Sequence, residues 1–347
     1  GPHKYKCLFC GRCRKVCRCG EKNIMAKEVK PVSPAAKTAF VNRLPRSLGL
    51  EIELSDWGGL NADSFKPKHC EWYADHDGSV QPSGQEMVVL PLKDDAFPAA
   101  VLELYEAFDK FKCQVNDTCG LHVHVGAEDM NGWQVRRLLK LYEMMQGGIY
   151  QLCKPGRDRA KSRNGYLFAA RLDQTCRQEI QKMWSTTRAG EGRRALIRMI
   201  YGVDLNPEEA KQVLTVPGGG IVNGREHVDE LAQFIRGMKN KYAGGQGTRG
   251  FVSRYFGLNL HSWFLRGTIE WRMKEGTLDL EELLNWPLFC GWFVYNAIRM
   301  NDRLEVGAFE KKSIWQEGLQ KEWDVVTFAY ETMPPQVAKW VERKIRG

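Results

Sequence analysis

Three short stretches of the chain place chemistry-bearing side chains two residues apart: Glu51-Ile52-Glu53, His122-Val123-His124 and Glu270-Trp271-Arg272. Each lies in an apolar, β-branched or aromatic setting that favours a strand. There, residues i and i+2 project to one face and the residue between them to the other. Carboxylates, imidazoles and a guanidinium gathered on one sheet face describe a metal and phosphate site. Glu51 and Glu53 on a buried strand repel each other unless a cation lies between them, which favours a hard divalent ion such as Mg²⁺ or Mn²⁺. On a solvent-facing edge the same alternation carries no chemistry. A His-x-His pair on a strand is a recurrent metal-binding arrangement, and one of its imidazoles is often a hydrogen-bonded core residue instead. Glu270 adds a further ligand candidate. Arg272 adds a planar cation suited to bidentate phosphate contact, with a plain Glu270–Arg272 ion pair as the competing explanation.

A second constellation stands near the start. Of eleven cysteines, Cys7, Cys10, Cys13, Cys17 and Cys19 fall among Lys and Arg within a segment too short and basic to build a core. Thiolates at two- and three-residue spacings can close around a tetrahedral metal, and zinc is the expected one. The C-x2-C-x2-C-x3-C spacing is also that of an iron–sulfur run, with Arg18 where a proline often follows, and a redox-reactive cluster is the third reading. The remaining cysteines are scattered and read as buried thiols.

The elements that must position these residues follow from periodicity. Ser47 to Leu54 opens as a strand; Cys70 to Tyr73 and Met87 to Leu92 are strands joined through a turn at Asp77-Gly78-Ser79; Cys119 to Val125 returns to strand. Helical spacing runs over Ala96 to Phe111, over Trp133 to about Cys153, and from the capping residue Asp279 toward Arg299, with Pro287 kinking or splitting the last. Tyr255 to Phe264 and Thr268 to Met273 read as two strands around Arg266-Gly267, and 313 to 346 as helical. Residues 155 to 250 carry helical patterns separated by two glycine-rich stretches, neither with the spacing of a P-loop. Hairpin strands with helices in longer insertions argue for an α+β fold with an antiparallel sheet. The domain reading is a cysteine-rich metal knuckle over 1–24, a Lys- and Pro-rich linker over 25–46, and one large domain over 47–347.

The bulk composition is permissive. At 347 residues and 43% hydrophobic content the chain has ample core. The net charge of +9 favours anionic partners, and the basic N-terminal region makes nucleic acid one candidate. No apolar run is long enough to cross a bilayer and nothing near the start reads as a secretory signal, so a cytoplasmic protein without membrane contact is expected. Gly1-Pro2 has the form of a protease-cleavage remnant.

Taken in order, Gly49-Leu50-Glu51-Ile52-Glu53, Asp77-Gly78-Ser79, Glu86, Cys119-Gly120-Leu121-His122-Val123-His124-Val125-Gly126, Leu258-Asn259-Leu260, Thr268-Ile269-Glu270-Trp271-Arg272 and Gly276-Thr277 resemble the amidoligase family, which is related to glutamine synthetase and glutamate–cysteine ligase. The resemblance covers roughly residues 47 to 300 and leaves the cysteine knuckle aside. It implies a glutamine synthetase-like antiparallel funnel and an ATP-dependent carboxylate–amine ligase, with nucleotide entering one end and substrates the other. Carried over by motif, Glu51, Glu53, Glu86, His122 and Glu270 form the Mg²⁺ or Mn²⁺ set, with Asp77 a further ligand or the amine-site carboxylate. Arg272 faces the transferred phosphate. His124, Asn259, Arg254 and Arg266 are candidates for nucleotide or acyl-substrate contacts.

Such an enzyme would pass a phosphoryl group from ATP to a carboxylate, making an acyl phosphate that an amine then attacks, with a carboxylate such as Asp77 accepting the amine's proton. The partners implied are a carboxylate and an amine, either of them free or on a peptide or protein. Two other classes compete. One is a metallohydrolase using His122 and His124. The other is a nucleic-acid or protein-binding module whose sheet site is vestigial.

Overall fold

The computed structural model describes residues 26–27, 41–42, 44–130, 132–157, 256–299 and 323–347. The cysteine cluster at residues 7–19, Arg254 and the helical patterns expected between 158 and 255 lie outside the described residues. In chain order the strands are β1 (Ala26–Lys27), β2 (Val41–Asn42), β3 (Leu48–Glu53), β4 (Trp72–His76), β5 (Gln85–Leu92), β6 (Leu121–Gly126), β7 (Leu258–Asn259) and β8 (Thr268–Trp271). The helices are α1 (Ala96–Lys110), α2 (Gly132–Gln151), α3 (His261–Arg266), α4 (Leu280–Arg299), α5 (Trp323–Thr332) and α6 (Pro335–Arg346). Helices mix with antiparallel strands, which is the α+β class that the periodicity indicates. None of the described helices is long and apolar enough to cross a membrane.

The chain divides into two compact units. The first comprises Gly1–Val125, Gly147–Lys154 and Lys274–Gly347, the second Gly126–Gln146 and Pro155–Met273. In the first, β3 lies between β5 and β6 and pairs antiparallel with both, while β4 pairs antiparallel with β5; β1 and β2 form a separate two-residue ladder. One face of this sheet carries Leu48, Leu50, Ile52, Met87, Val89, Leu121, Val123 and Val125, all fully buried or nearly so. The close approach of Gly291 to Leu48 brings α4 against that face, and α1 in turn packs on α4. At roughly 1.5–3 kcal/mol per buried aliphatic side chain, a one-residue slip of β3 would expose three of these and turn Glu51 and Glu53 into the core. The register, and with it the placement of every polar residue on the opposite face, is thereby fixed.

Three elements depart from or refine the sequence reading. The strand expected over Tyr255 to Phe264 contracts to Leu258–Asn259, because His261–Arg266 instead winds one short helix closed by Gly267 in the left-handed region at φ 68°. Helix α4 is not split at Pro287. Asp279 caps it, its Oδ1 accepting from the Glu282 N–H at 3.1 Å, and the buried run from Leu283 to Phe293 outweighs the one backbone hydrogen bond that the proline removes. The C-terminal helical segment is two helices, interrupted at Met333-Pro334, with Val325, Phe328, Val337 and Trp340 facing inward.

In the second unit, β7 and β8 pair antiparallel, with Leu258 opposite Trp271 and Asn259 opposite Glu270. The part of α2 that belongs to this unit buries Leu138, Leu139, Tyr142 and Met145, and Tyr142 meets Trp271 edge-on at 5.9 Å between ring centroids. The indole N–H of Trp263 donates to the Ala127 carbonyl at 3.1 Å, tying α3 to the start of this segment.

Candidate functional site

Alternation on the first unit's sheet gathers the predicted residues on the face opposite its apolar side. Glu51 stands opposite His122 on β6, Glu53 opposite Glu86 on β5, and Asp75 on β4 opposite Glu86 in turn. Glu53, Glu86, His122 and His124 are buried; Glu51 is partly so and Asp75 is exposed. Glu53, Glu86 and His122 each offer a ligand atom, and these atoms lie within 4.8 Å of one another. The face is therefore no solvent-exposed edge, and Glu alternation here has chemical content.

Glu51 organises the imidazoles. One of its oxygens meets His122 Nδ1 at 3.1 Å and the other His124 Nε2 at 3.0 Å, which leaves His122 Nε2 facing Glu53 Oε1 at 3.7 Å. Glu53 is anchored where β3 ends: its Oε2 accepts from the Gly120 N–H, and its own N–H donates to the Gly120 carbonyl. Asp77 sits in the turn after β4, where its Oδ1 accepts from both the N–H and the hydroxyl of Ser79 at 2.8 and 2.6 Å. The Asp-Gly-Ser sequence suits this turn, since an aspartate at its first position bonds the backbone two residues on.

The charges on this face do not balance. Burial pushes the Glu86 carboxyl up from its ordinary 4.5 to about 9, and the negative charges of Glu51, Glu53, Asp77 and Asp75 push the same way. No hydrogen-bond donor or cationic side chain reaches Glu86 among the described residues. Glu51 behaves oppposite to Glu86: burial would raise it, but the hydrogen bonds and charges of His122 and His124 outweigh that and hold it well below the usual carboxylate range. For Asp77, burial is likewise overcome by Ser79, by the charge of His122 and by a hydrogen bond with Glu53, so it too is lowered. A buried carboxylate without a donor, ringed by others and by a histidine nitrogen, fits a divalent cation with a preference for oxygen.

The second unit assembles the other predicted group. Glu270 is buried; its Oε1 accepts from Arg272 Nη1 at 2.7 Å, and its Oε2 from Asn259 Nδ2 at 2.6 Å and from the Ser262 hydroxyl at 3.2 Å. Arg266, on the exposed end of α3, donates to the Ser262 oxygen at 3.3 Å. Glu270 and Arg272 do share a face, and they use it to bond each other. Asn259, expected among substrate contacts, holds Glu270.

Ser262 escaped the sequence reading because a lone serine in a short apolar segment has no pattern. Lys274 escaped it too: fully buried, it lies between the rings of Trp286 and Trp340 and reaches Glu275, Glu282 and the Leu152 carbonyl at 3.1, 2.6 and 2.7 Å. Its position two residues after the Glu-x-Arg motif was the one available signal.

Comparison with known proteins adds the following. No curated protein matches the chain significantly. Among solved structures, a bifunctional glutathione synthetase from Pasteurella multocida is similar at a TM-score of 0.33 and 11% identity, over 87% of this chain and 47% of that protein. The chain thus spans about half the length of that enzyme, and a likeness at this level carries no argument. A family model described as "Putative amidoligase enzyme" matches residues 68–203 and 227–294. The match begins after Glu51 and Glu53 and takes in Asp77, Glu86, His122, His124, Glu270 and Arg272. Because it covers more than half of the 347 residues, the chain belongs to the amidoligase family.

Proposed function

We propose that this protein is an ATP-dependent carboxylate–amine ligase of glutamine synthetase-like architecture, joining its substrates through an acyl phosphate. The observation that carries the reading is the convergence of Glu53, Glu86 and His122 within 4.8 Å, with no donor to the Glu86 carboxyl among the described residues. Two carboxylates and one imidazole make an oxygen-rich set, which favours Mg²⁺ or Mn²⁺ over the zinc of a metallohydrolase.

The residues divide the work. Glu53, Glu86 and His122 would hold the divalent cation, which would supply electrostatic stabilisation to the phosphoryl oxygens. Glu51 orients His122 and His124 from behind, so that the His122 nitrogen facing Glu53 is the one presented. Arg272 neutralises an oxygen of the phosphoryl group as the substrate carboxylate attacks phosphorus and ADP departs. Asp77, kept ionised by Ser79 and His122, holds the incoming ammonium and takes its proton. The freed amine attacks the acyl carbon, phosphate leaves with the bonding pair, and an amide remains. Glu270, held by Asn259, carries Arg272, while Arg266, His124 and Arg254 supply further contacts to nucleotide or acyl substrate in this scheme.

The Cys7, Cys10, Cys13, Cys17 and Cys19 cluster is proposed to bind zinc as a small knuckle apart from the catalytic chemistry. Hydroxylamine trapping tests the ligase reading directly. With Mg²⁺ and ATP, a panel of carboxylic acids and hydroxylamine as the amine, ADP and hydroxamate should form in equal amounts, and Glu53→Gln should lower both by at least about 100-fold. Amide hydrolysis that needs a transition metal and no ATP would replace this reading with the hydrolase.

A further inference from the structure

A serine hydroxyl has one proton to give, and the environment of Ser262 decides where it goes. The side chain is fully buried at the start of α3; its oxygen lies 3.2 Å from Glu270 Oε2 and 3.3 Å from Arg266 Nη1. Arg266 can only donate and an ionised Glu270 can only accept, so the polarity is fixed: Arg266 donates to Ser262 and Ser262 donates to Glu270. Asn259 Nδ2 donates to the same Glu270 oxygen at 2.6 Å from the facing strand. The other oxygen accepts from Arg272 Nη1 at 2.7 Å.

This arrangement over-determines one carboxylate. Turning Glu270 away from Arg272 would break both bonds on its Oε2, and each unmade bond inside a buried network is costly. Held in this way, Glu270 cannot follow Arg272 into alternative rotamers, and Arg272 spends one of its nitrogens on a fixed anchor while the rest of its planar fork keeps a defined direction. A guanidinium is an effective partner for a phosphate only when its fork is aimed beforehand.

We propose that Ser262 and Asn259 are positioning residues that lock Glu270 so that it aims Arg272, with Arg266 fixing the polarity of the relay. The identity of the anion rests on the ligase reading, in which Arg272 meets a nucleotide phosphate; the lock itself rests on these five side chains.

The test uses the full chain with Ser262→Ala, Ser262→Thr and Asn259→Ala. Nitrogen NMR of the Arg272 guanidinium, assigned by its loss in Arg272→Lys, reads the aim without nucleotide. Its order parameter should fall clearly below the wild-type value in Ser262→Ala and Asn259→Ala, and return to it in Ser262→Thr, which keeps the hydroxyl. Calorimetry with the non-hydrolysable analogue AMPPNP and Mn²⁺ should give about tenfold weaker nucleotide binding in both alanine variants, with the affinity for Mn²⁺ alone unchanged. An Arg272 signal as ordered in both alanine variants as in the wild type overturns the proposal. So does a parallel loss of Mn²⁺ affinity, nucleotide affinity and melting temperature, which marks a purely structural role. A wild type that binds no AMPPNP overturns the ligase reading instead, and the NMR result still decides the lock.

Discussion

Glu86 governs how the sheet's polar face responds to pH. Its carboxyl titrates at about 9 in the folded chain, because of burial first and of Glu51, Glu53, Asp77 and Asp75 second, against an ordinary 4.5. Between these values the folded chain holds a proton that the unfolded chain has released, so stability falls as pH rises. The contribution is complete below about 4.5 and is lost as pH passes through about 9. In the presence of a chelator the melting temperature should therefore decline from pH 5 to pH 9, and Glu86→Gln should flatten that decline. A flat profile in the wild type would contradict the assignment. The same logic predicts that Mn²⁺ binding at pH 8 releases a proton, measurable by calorimetry in buffers of different ionisation enthalpy. Glu51 works in the other direction: its lowered carboxyl contributes stability above the ordinary carboxylate range, lost as pH falls through its folded value. Glu51→Gln should accordingly cost stability at pH 7, and progressively less as pH falls below the ordinary carboxylate range, as followed by urea titration across that range.

At the scale of elements, the segment after β8 is clamped by Lys274. Burial works to lower this ammonium, and Cys153, Glu275 and Glu282 outweigh it, so the side chain stays charged between two indole rings. Lys344 from α6 reaches Glu282 at 2.9 Å, which joins the C-terminal helix to the same cluster. Lys274→Met should cost up to about 3–5 kcal/mol in urea unfolding, since it leaves the partly buried Glu275 and Glu282 with their main partner gone. A loss under 1 kcal/mol would mean that Lys344 and water neutralise the site unaided. Two residues on, Gly276 donates its N–H to the Cys119 carbonyl at 2.8 Å, and a Cβ there would come within 2.4 Å of the Cys119 Cβ. Gly276→Ala should destabilise by about 1–3 kcal/mol through forced separation of these segments just before Gly120, the residue that holds Glu53. Its effect on Mn²⁺ affinity measures how far that anchor matters.

For the whole molecule, the proposal combines two metals of different chemistry in one chain. The full chain should carry about one zinc per molecule by elemental analysis, and removal of residues 1–24 should abolish it while leaving Mn²⁺ binding at the sheet intact. Loss of both together would join what the scheme keeps apart. If the basic N-terminal region recruits a large substrate, deleting residues 1–30 should raise KM for that substrate and leave the KM for ATP unchanged.

The two-residue rhythm of Glu51-Ile52-Glu53 and His122-Val123-His124 was legible because strand alternation is local: each residue's face follows from its neighbours alone. Apolar partners at Leu50, Ile52, Leu121 and Val123 confirmed which face was inward. The described helices were legible for the same reason, apart from Pro287, where burial overrode propensity, the break at Met333-Pro334, and His261–Arg266, whose six residues are too few for periodicity to tell helix from strand. What no local pattern contains is the sum of charge at a point. That Glu86 meets three other carboxylates from β3 and the turn after β4, that Glu51 spends both oxygens on histidines, and that Ser262 stands behind Glu270 were all decided by tertiary pairing, because electrostatic energy depends on distances between residues that the sequence places far apart.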